Sequence, residues 1–285
     1  MIGSRQEIFQ NSNRILQSLL VNLLKSNLSM NRILPLLLTL AIAAITCHPK
    51  VHVTSVTPGY VEMNKSTGQI DSTTHSILAP YKLGMDSIMN EVVGETTEAM
   101  PKERDKCETL LGNFVSDVCL EKGNAGYKPE DDRKGQVCIL NNGGLRSSLP
   151  KGIITRGNIF ELMPFDNELV VLTISGSKMW DLLKYVAASG GIPVSGMKMG
   201  LKSDKTPGVV LINGVPFDST KTYKVVTSDY LASGGDKMSF LKDPIQYETT
   251  GVRIRDGLLE YFKERKKQGI VITPKLDGRV YYESN

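Results

Sequence analysis

Apolar positions change period several times along the chain, and each change marks an element. Between Pro80 and about Met100, the residues Tyr81, Met85, Ile88, Met89 and Val92 recur at helical spacing. Pro80 suits a first helical turn, so the pattern predicts a helix there. A second helix is expected from about Glu108 to Glu121, with Leu111, Val115, Val118 and Cys119 turned inward. Gln136 to Leu140 reads as a short buried strand that runs into Asn141-Asn142-Gly143-Gly144, a strong turn signal. Glu168 to Ile174 reads as another strand. Ser175 then caps a helix from about Ser177 to Ala188, which Gly190-Gly191 closes. Val209 to Ile212, followed by a turn at Asn213-Gly214, and Tyr223 to Ser228 are further strands. A last helix spans about Arg253 to Lys267, with cations in its final turns, and Gly278 to Glu283 is a closing strand. Strands do not alternate strictly with helices. An α+β fold, a mixed sheet with packed helices, is therefore expected over a doubly wound parallel sheet. No internal repeat, coiled coil or low-complexity tract interrupts it.

The first part of the chain reads differently. Met30-Asn31-Arg32 precedes the uncharged run Ile33–Thr46, and Cys47 follows directly. A short positive region and an apolar stretch too brief to span a bilayer comfortably have the shape of a secretory signal. The cysteine resembles the lipidation site of a bacterial lipoprotein, although Ile45 is bulky for the residues before it. Ordinary signal cleavage nearby is the alternative. Residues 1–29 carry Leu16, Leu19, Leu20, Leu23 and Leu24 at helical spacing, and translation from Met30 is an open reading. Three segments result: residues 1–46 as extension and signal, 47–75 as a tether and entry strand, and 76–285 as the domain.

Charge narrows the partners. The chain of 285 residues carries a formal net charge of +4. Arg5, Arg14, Lys25 and Arg32 against Glu7 place +3 of this in residues 1–46, which leaves +1 for the remainder. A nearly neutral body argues against a nucleic-acid polymer as partner. The basic run Lys263–Lys267 then reads as a solvated helix face.

Missing residue types narrow the chemistry. The three histidines are His48, His52 and His75, so residues 76–285 contain none. A dinuclear phosphohydrolase centre draws on several histidines, and Ser-His-Asp or Cys-His catalysis needs one. No phosphate-binding glycine loop of the Walker type occurs. Cys107, Cys119 and Cys138 lack zinc spacing. Cys119 and Cys138 fit either a disulfide, if the helix lies beside the strand, or two buried free thiols.

Three segments stand out against this background: Asn141-Asn142-Gly143-Gly144-Leu145-Arg146, Met163-Pro164-Phe165-Asp166-Asn167, and Asp229-Tyr230-Leu231-Ala232-Ser233-Gly234-Gly235-Asp236. A nucleoside offers flat faces, a sugar diol and, when phosphorylated, an anion. Phe165 and Tyr230 lie in loops punctuated by glycine and proline, where rings can be presented to a cleft; base stacking is worth about 1–3 kcal/mol. Taken alone, the same loops also fit rings that merely anchor the core. Asp236, after two glycines, can accept both hydroxyls of a ribose or cap its own turn. Arg146 can hold phosphate or sugar oxygens bidentately, or make a surface salt bridge. Asn141 either reads a base or ribose edge or makes its turn.

In order and spacing these segments, with Leu111-Gly112-Asn113-Phe114 and Leu172-Thr173-Ile174-Ser175-Gly176, resemble the C-terminal, substrate-binding domain of the 5′-nucleotidases. The resemblance implies that Phe165 and Tyr230 sandwich the base, with the ring of Tyr230 stacking and its hydroxyl incidental. It implies that Asn167 faces the base and that a cation before the Leu-Gly-Asn helix meets phosphate, Arg104 being the best candidate. The implied substrate site is thus Asn141, Arg146, Phe165, Asn167, Tyr230 and Asp236, with no catalytic residue, metal ligand or cofactor in this chain. Family members carry the metals in a separate metallophosphatase domain. The reading is an exported substrate domain of a 5′-nucleotidase-type hydrolase in nucleotide catabolism. Divalent metals are expected in a separately encoded metallophosphatase chain. The domain would be periplasmic or in the cell envelope, membrane-anchored by lipid if Cys47 is acylated. The rival readings are a non-catalytic nucleotide-binding surface lipoprotein and a structural surface domain with a decayed pocket.

Overall fold

The computed structural model describes residues 71–283, together with residues 17, 18, 21, 59 and 60. The signal segment, Cys47 and nearly all of the expected tether lie outside the described residues. The architecture below belongs to the unit that begins at Ile70.

The centre is a five-stranded sheet built from β2 (Val137–Ile139), β4 (Glu168–Ser175), β5 (Val194–Ser195), β9 (Thr222–Ser228) and β10 (Gln246–Arg253). Its order is β10-β4-β9-β2-β5, and only β2 and β9 run parallel, with Val137 opposite Val225 and Cys138 opposite Val226. The sheet is covered on both faces, and the side-chain period of two divides each strand between two cores. From β4, Leu169 and Val171 enter one core while Val170, Leu172 and Ile174 enter the other. The mixed sheet and packed helices are the α+β architecture expected from the sequence.

One core is closed by α2 (Leu110–Gly126), α3 (Arg156–Leu162) and α6 (Ile254–Lys267). The other is closed by α4 (Gly176–Ala188) and by the four-stranded sheet β11-β6-β7-β8, in which β6 is Met197–Leu201, β7 Pro207–Ile212, β8 Val215–Pro216 and β11 Val280–Tyr282. Side chains fix where the helices start. Thr109 caps α2 through the Gly112 N–H at 3.0 Å, Thr155 and Asn158 form a reciprocal capping box on α3, and Ser175 accepts from the Lys178 N–H at 3.3 Å on α4. The expected helices over 108–121, 177–188 and 253–267 are present, and the inward stripe of α2 is buried as read from the sequence.

The region around Pro80 differs from expectation. The helix α1 runs from Ser72 to Met89, so Pro80 lies inside it, and residues 72–75 are helical instead of tether. Asp71 starts this helix by accepting from the Thr73 N–H at 3.1 Å. Residues expected to extend it instead form β1 (Val92–Thr96), paired antiparallel with β3 (Gly152–Thr155). The β-branched Val92-Val93 pair favours this extended form. None of the α1 stripe is buried; Tyr81, Met85 and Ile88 are exposed. Cys119 and Cys138 are both buried and free, and Cys107 is free also. Burial, reinforced by the neighbouring Cys119, pushes the Cys138 thiol well above its ordinary range.

Candidate functional site

The central pair of parallel strands determines where the site forms. The carboxyl ends of β2 and β9 reach the same edge of the sheet, so Leu140-Asn141 and Ser228 emerge side by side. After β9 the chain turns into the short helix α5 (Asp229–Ala232), which Ser228 caps through the Leu231 N–H at 3.2 Å and which carries Tyr230. A third segment arrives from α3, whose end releases the loop Met163–Asn167. These segments enclose a cavity of about 420 Å³. All six residues singled out in the sequence line it: Asn141, Arg146, Phe165, Asn167, Tyr230 and Asp236. Leu140, Met163 and Ile254, each nearly inaccessible to solvent, form its apolar floor.

Both rings are presented rather than buried. Phe165 is 44% exposed and Tyr230 45%, which sets them apart from the core aromatics such as Phe262. The Phe165 loop is held from behind by Arg255, the second residue of α6. The Arg255 guanidinium donates to the Pro164 carbonyl at 3.2 Å and to the Asp166 carboxylate, thus gripping the residues on either side of Phe165. It also lies 4.4 Å from the centroid of the Phe160 ring, while its Nε is buried without a hydrogen-bond partner. The Asn167 carbonyl accepts from the Ile254 N–H at 2.9 Å, which ties the far end of the loop to the same helix.

Asp236 faces these rings with both carboxylate oxygens engaged. Asn141 Nδ2 donates to Oδ2 at 2.6 Å, and the Tyr230 hydroxyl donates to Oδ1 at 2.8 Å. The Tyr185 hydroxyl, from α4, donates to the Asp236 carbonyl at 2.9 Å. Burial above all, then the nearby Asp236 and Tyr230, raises the Tyr185 phenol above its ordinary value, so it is a neutral donor at neutral pH. Tyr185 and Arg255 were not legible as site residues: both sit on helices whose sequence pattern reads as packing.

Arg146 supplies positive charge. Its guanidinium carbon lies 6.0 Å from the Phe165 ring centroid, and its Nη1 donates to the Gly143 carbonyl at 3.4 Å. Arg104, the sequence-level candidate for phosphate, does not line the cavity. It belongs to a cationic neighbourhood all the same. Burial first, then the charges of Arg104 and Arg146, holds the Lys102 ammonium below its usual range. Lys102 is a residue the sequence did not single out. Among the described residues, no group of three or more His, Cys, Asp or Glu is placed to hold a metal ion.

This sequence and fold are shared with known proteins. The family model described as the 5′-nucleotidase C-terminal domain matches residues 92–243. The trifunctional nucleotide phosphoesterase protein YfkN of Bacillus subtilis is 29% identical over 222 residues, covering 71% of this chain and 14% of its own length. The cell wall protein Lmo0130 of Listeria monocytogenes is 26% identical over 266 residues, covering 76% of this chain and 33% of its own. The crystal structure of a 5′-nucleotidase precursor from Thermus thermophilus superposes with a TM-score of 0.63 at 29% identity, covering 75% of this chain and 44% of that one. The chain thus spans less than half the length of each.

Proposed function

Because the chain belongs to the 5′-nucleotidase C-terminal domain family, we propose that its domain is the substrate-holding part of a 5′-nucleotidase-type phosphohydrolase. The observation that carries this reading is the pairing of two half-exposed rings, Phe165 and Tyr230, on one cavity with Asp236 and Arg146. The rings would stack on either face of a base, which is sequence-tolerant because every base has a π-face. Asp236 would accept the ribose hydroxyls. Arg146 would meet the phosphate oxygens, with Lys102 and Arg104 adding a positive field. Asn141 and Asn167 would contact the edges of base or sugar.

Hydrolysis is assigned to a metallophosphatase module. Residues 76–285 contain no histidine, and histidines are the ligands such a dinuclear centre draws on. The partner we propose is a separately encoded metallophosphatase chain that supplies the divalent metals. The site would be exported to the periplasm or cell envelope, in keeping with the cell wall protein among its relatives. Acylation at Cys47 would add a membrane anchor.

Calorimetric titration of adenosine and AMP tests the reading. Replacing Phe165 with Ala removes one stacking face and is expected to lower both affinities about five- to 150-fold. Arg146→Ala is expected to weaken AMP and leave adenosine nearly unchanged. Absence of nucleoside binding by the wild type at millimolar concentration would count against the proposal.

A further inference from the structure

Asp236 is held in a conformation that few residues with a side chain adopt, at φ 48°. Three side chains bond it there: the Tyr230 hydroxyl at its N–H and Oδ1, Asn141 at Oδ2 and Tyr185 at its carbonyl. We infer that the Tyr230 hydroxyl sets Asp236 to read the ribose diol, which makes Tyr230 a specificity-determining residue and not only a stacking surface. The inference rests on the nucleoside reading proposed above.

A carboxylate offers about four lone-pair positions, two on each oxygen. In this site one position on Oδ1 is taken by the Tyr230 hydroxyl and one on Oδ2 by Asn141 Nδ2. One lone pair remains on each oxygen. Two adjacent hydroxyls of a ribose need that arrangement: two acceptors on one rigid group. The tyrosine hydroxyl is itself oriented, since it accepts from the Asp236 N–H at 3.3 Å while donating to the carboxylate of the same residue. Hydroxyl and aspartate therefore fix each other in a closed ring of hydrogen bonds.

The glycine before Asp236 makes this close approach possible. A Cβ on Gly235 would sit 2.5 Å from Cε1 and Cζ of the Tyr230 ring, so any side chain there would push the hydroxyl off its partner. The Tyr185 hydroxyl donates to the Asp236 carbonyl, a further tie on its backbone that Tyr230→Phe leaves in place. Phenylalanine at 230 would keep the π-face and lose only the donor. Oδ1 would then face water with both lone pairs, and the carboxylate would be held by Asn141 alone, one tether in place of two.

The test compares adenosine with 2′,3′-dideoxyadenosine, which lacks the diol, by calorimetry on the full chain. In Tyr230→Phe, adenosine affinity is expected to fall about fivefold and dideoxyadenosine affinity less than about twofold, so discrimination for the diol drops. A merely structural role would weaken both ligands alike. Equal changes for the two ligands would overturn this inference and leave the nucleoside reading standing. If neither ligand binds the wild type, the nucleoside reading fails and this inference falls with it.

Discussion

Lys224 sits in the middle of β9 with its side chain sealed from solvent, and its ammonium meets Asp131 at 2.6 Å and Glu248 at 2.8 Å. Burial works against the charge, but hydrogen bonds to the two carboxylates outweigh it and raise the Lys224 pKa above its ordinary value. The same ammonium holds the Asp131 carboxyl down at about 2, against 3.8 ordinarily. A depressed carboxylate pKa contributes stability above its unfolded value and loses it as pH falls through the folded one. The pair's contribution should therefore fade between about pH 4 and pH 2. On the alkaline side, the raised Lys224 pKa keeps its contribution complete below the unfolded value and loses it only above that. Lys224→Met leaves Glu248 without its cation and Asp131 with Arg133 alone, and is expected to cost about 3 kcal/mol at neutral pH. Urea midpoints measured from pH 2 to 7 should show this loss, together with a flatter acid limb in the variant; an unchanged acid limb would contradict the assignment. No feature of the sequence marks Lys224. A lysine within a strand reads as solvent-facing until the distant Asp131 and Glu248 are placed against it. The six cavity residues were legible for the opposite reason: glycine and proline around them signal loops, where exposed rings and carboxylates stand out.

At the level of elements, helices with strong local caps were the most legible. Ser175 and the glycines after Ala188 delimit α4 nearly to the residue. The strands β1, β3, β5, β6, β8 and β10 do not stand out in the sequence, and β10 explains why. It is an edge strand with mostly exposed or half-exposed side chains and a break in register near Gly251, so it has no apolar signature of its own. The helix over 80–100 was misplaced because exposed apolar residues on α1 imitate an inward stripe. The most informative contact between elements is that of α6 with the Phe165 loop through Arg255. Arg255→Lys retains the charge but loses the fork that reaches Pro164 and Asp166 together. Nucleoside affinity is expected to drop several-fold, about 1 kcal/mol, through a loosened Phe165. Fluorescence or calorimetric titration checks it, and a loss of affinity that merely tracks a lowered melting temperature would argue against a positioning role.

For the whole molecule, the sequence conveyed the class of fold but not the order of its strands. The mixture of helices and strands is written in local periodicity. The order β10-β4-β9-β2-β5 depends on partners separated by dozens of residues, such as Cys138 and Val226, and no local pattern specifies them. The two cores that share this sheet should unfold together, whereas α1 buries no residue and is tied on mainly at its end, where Glu91 binds Arg156 and Lys263. Hydrogen exchange should therefore show α1 amides opening locally and fast, and β2, β4 and β9 amides exchanging only through global unfolding. Equal protection of α1 and β9 would show that α1 belongs to the cooperative unit.

The parallel pairing of β2 with β9 also dictates when the cavity can exist. Asn141 is synthesised long before Tyr230 and Asp236, and between them lie α3, β4, α4 and the whole β6–β8 hairpin system. A growing chain that stops short of Thr222 holds Asn141, Arg146, Phe165 and Asn167 but has no strand to bring their counterparts across. The pocket thus appears only after the long loop between β2 and β9 has closed. Ligand occupancy would then serve as a timestamp of completed folding, present in finished molecules and absent from every nascent or clipped intermediate.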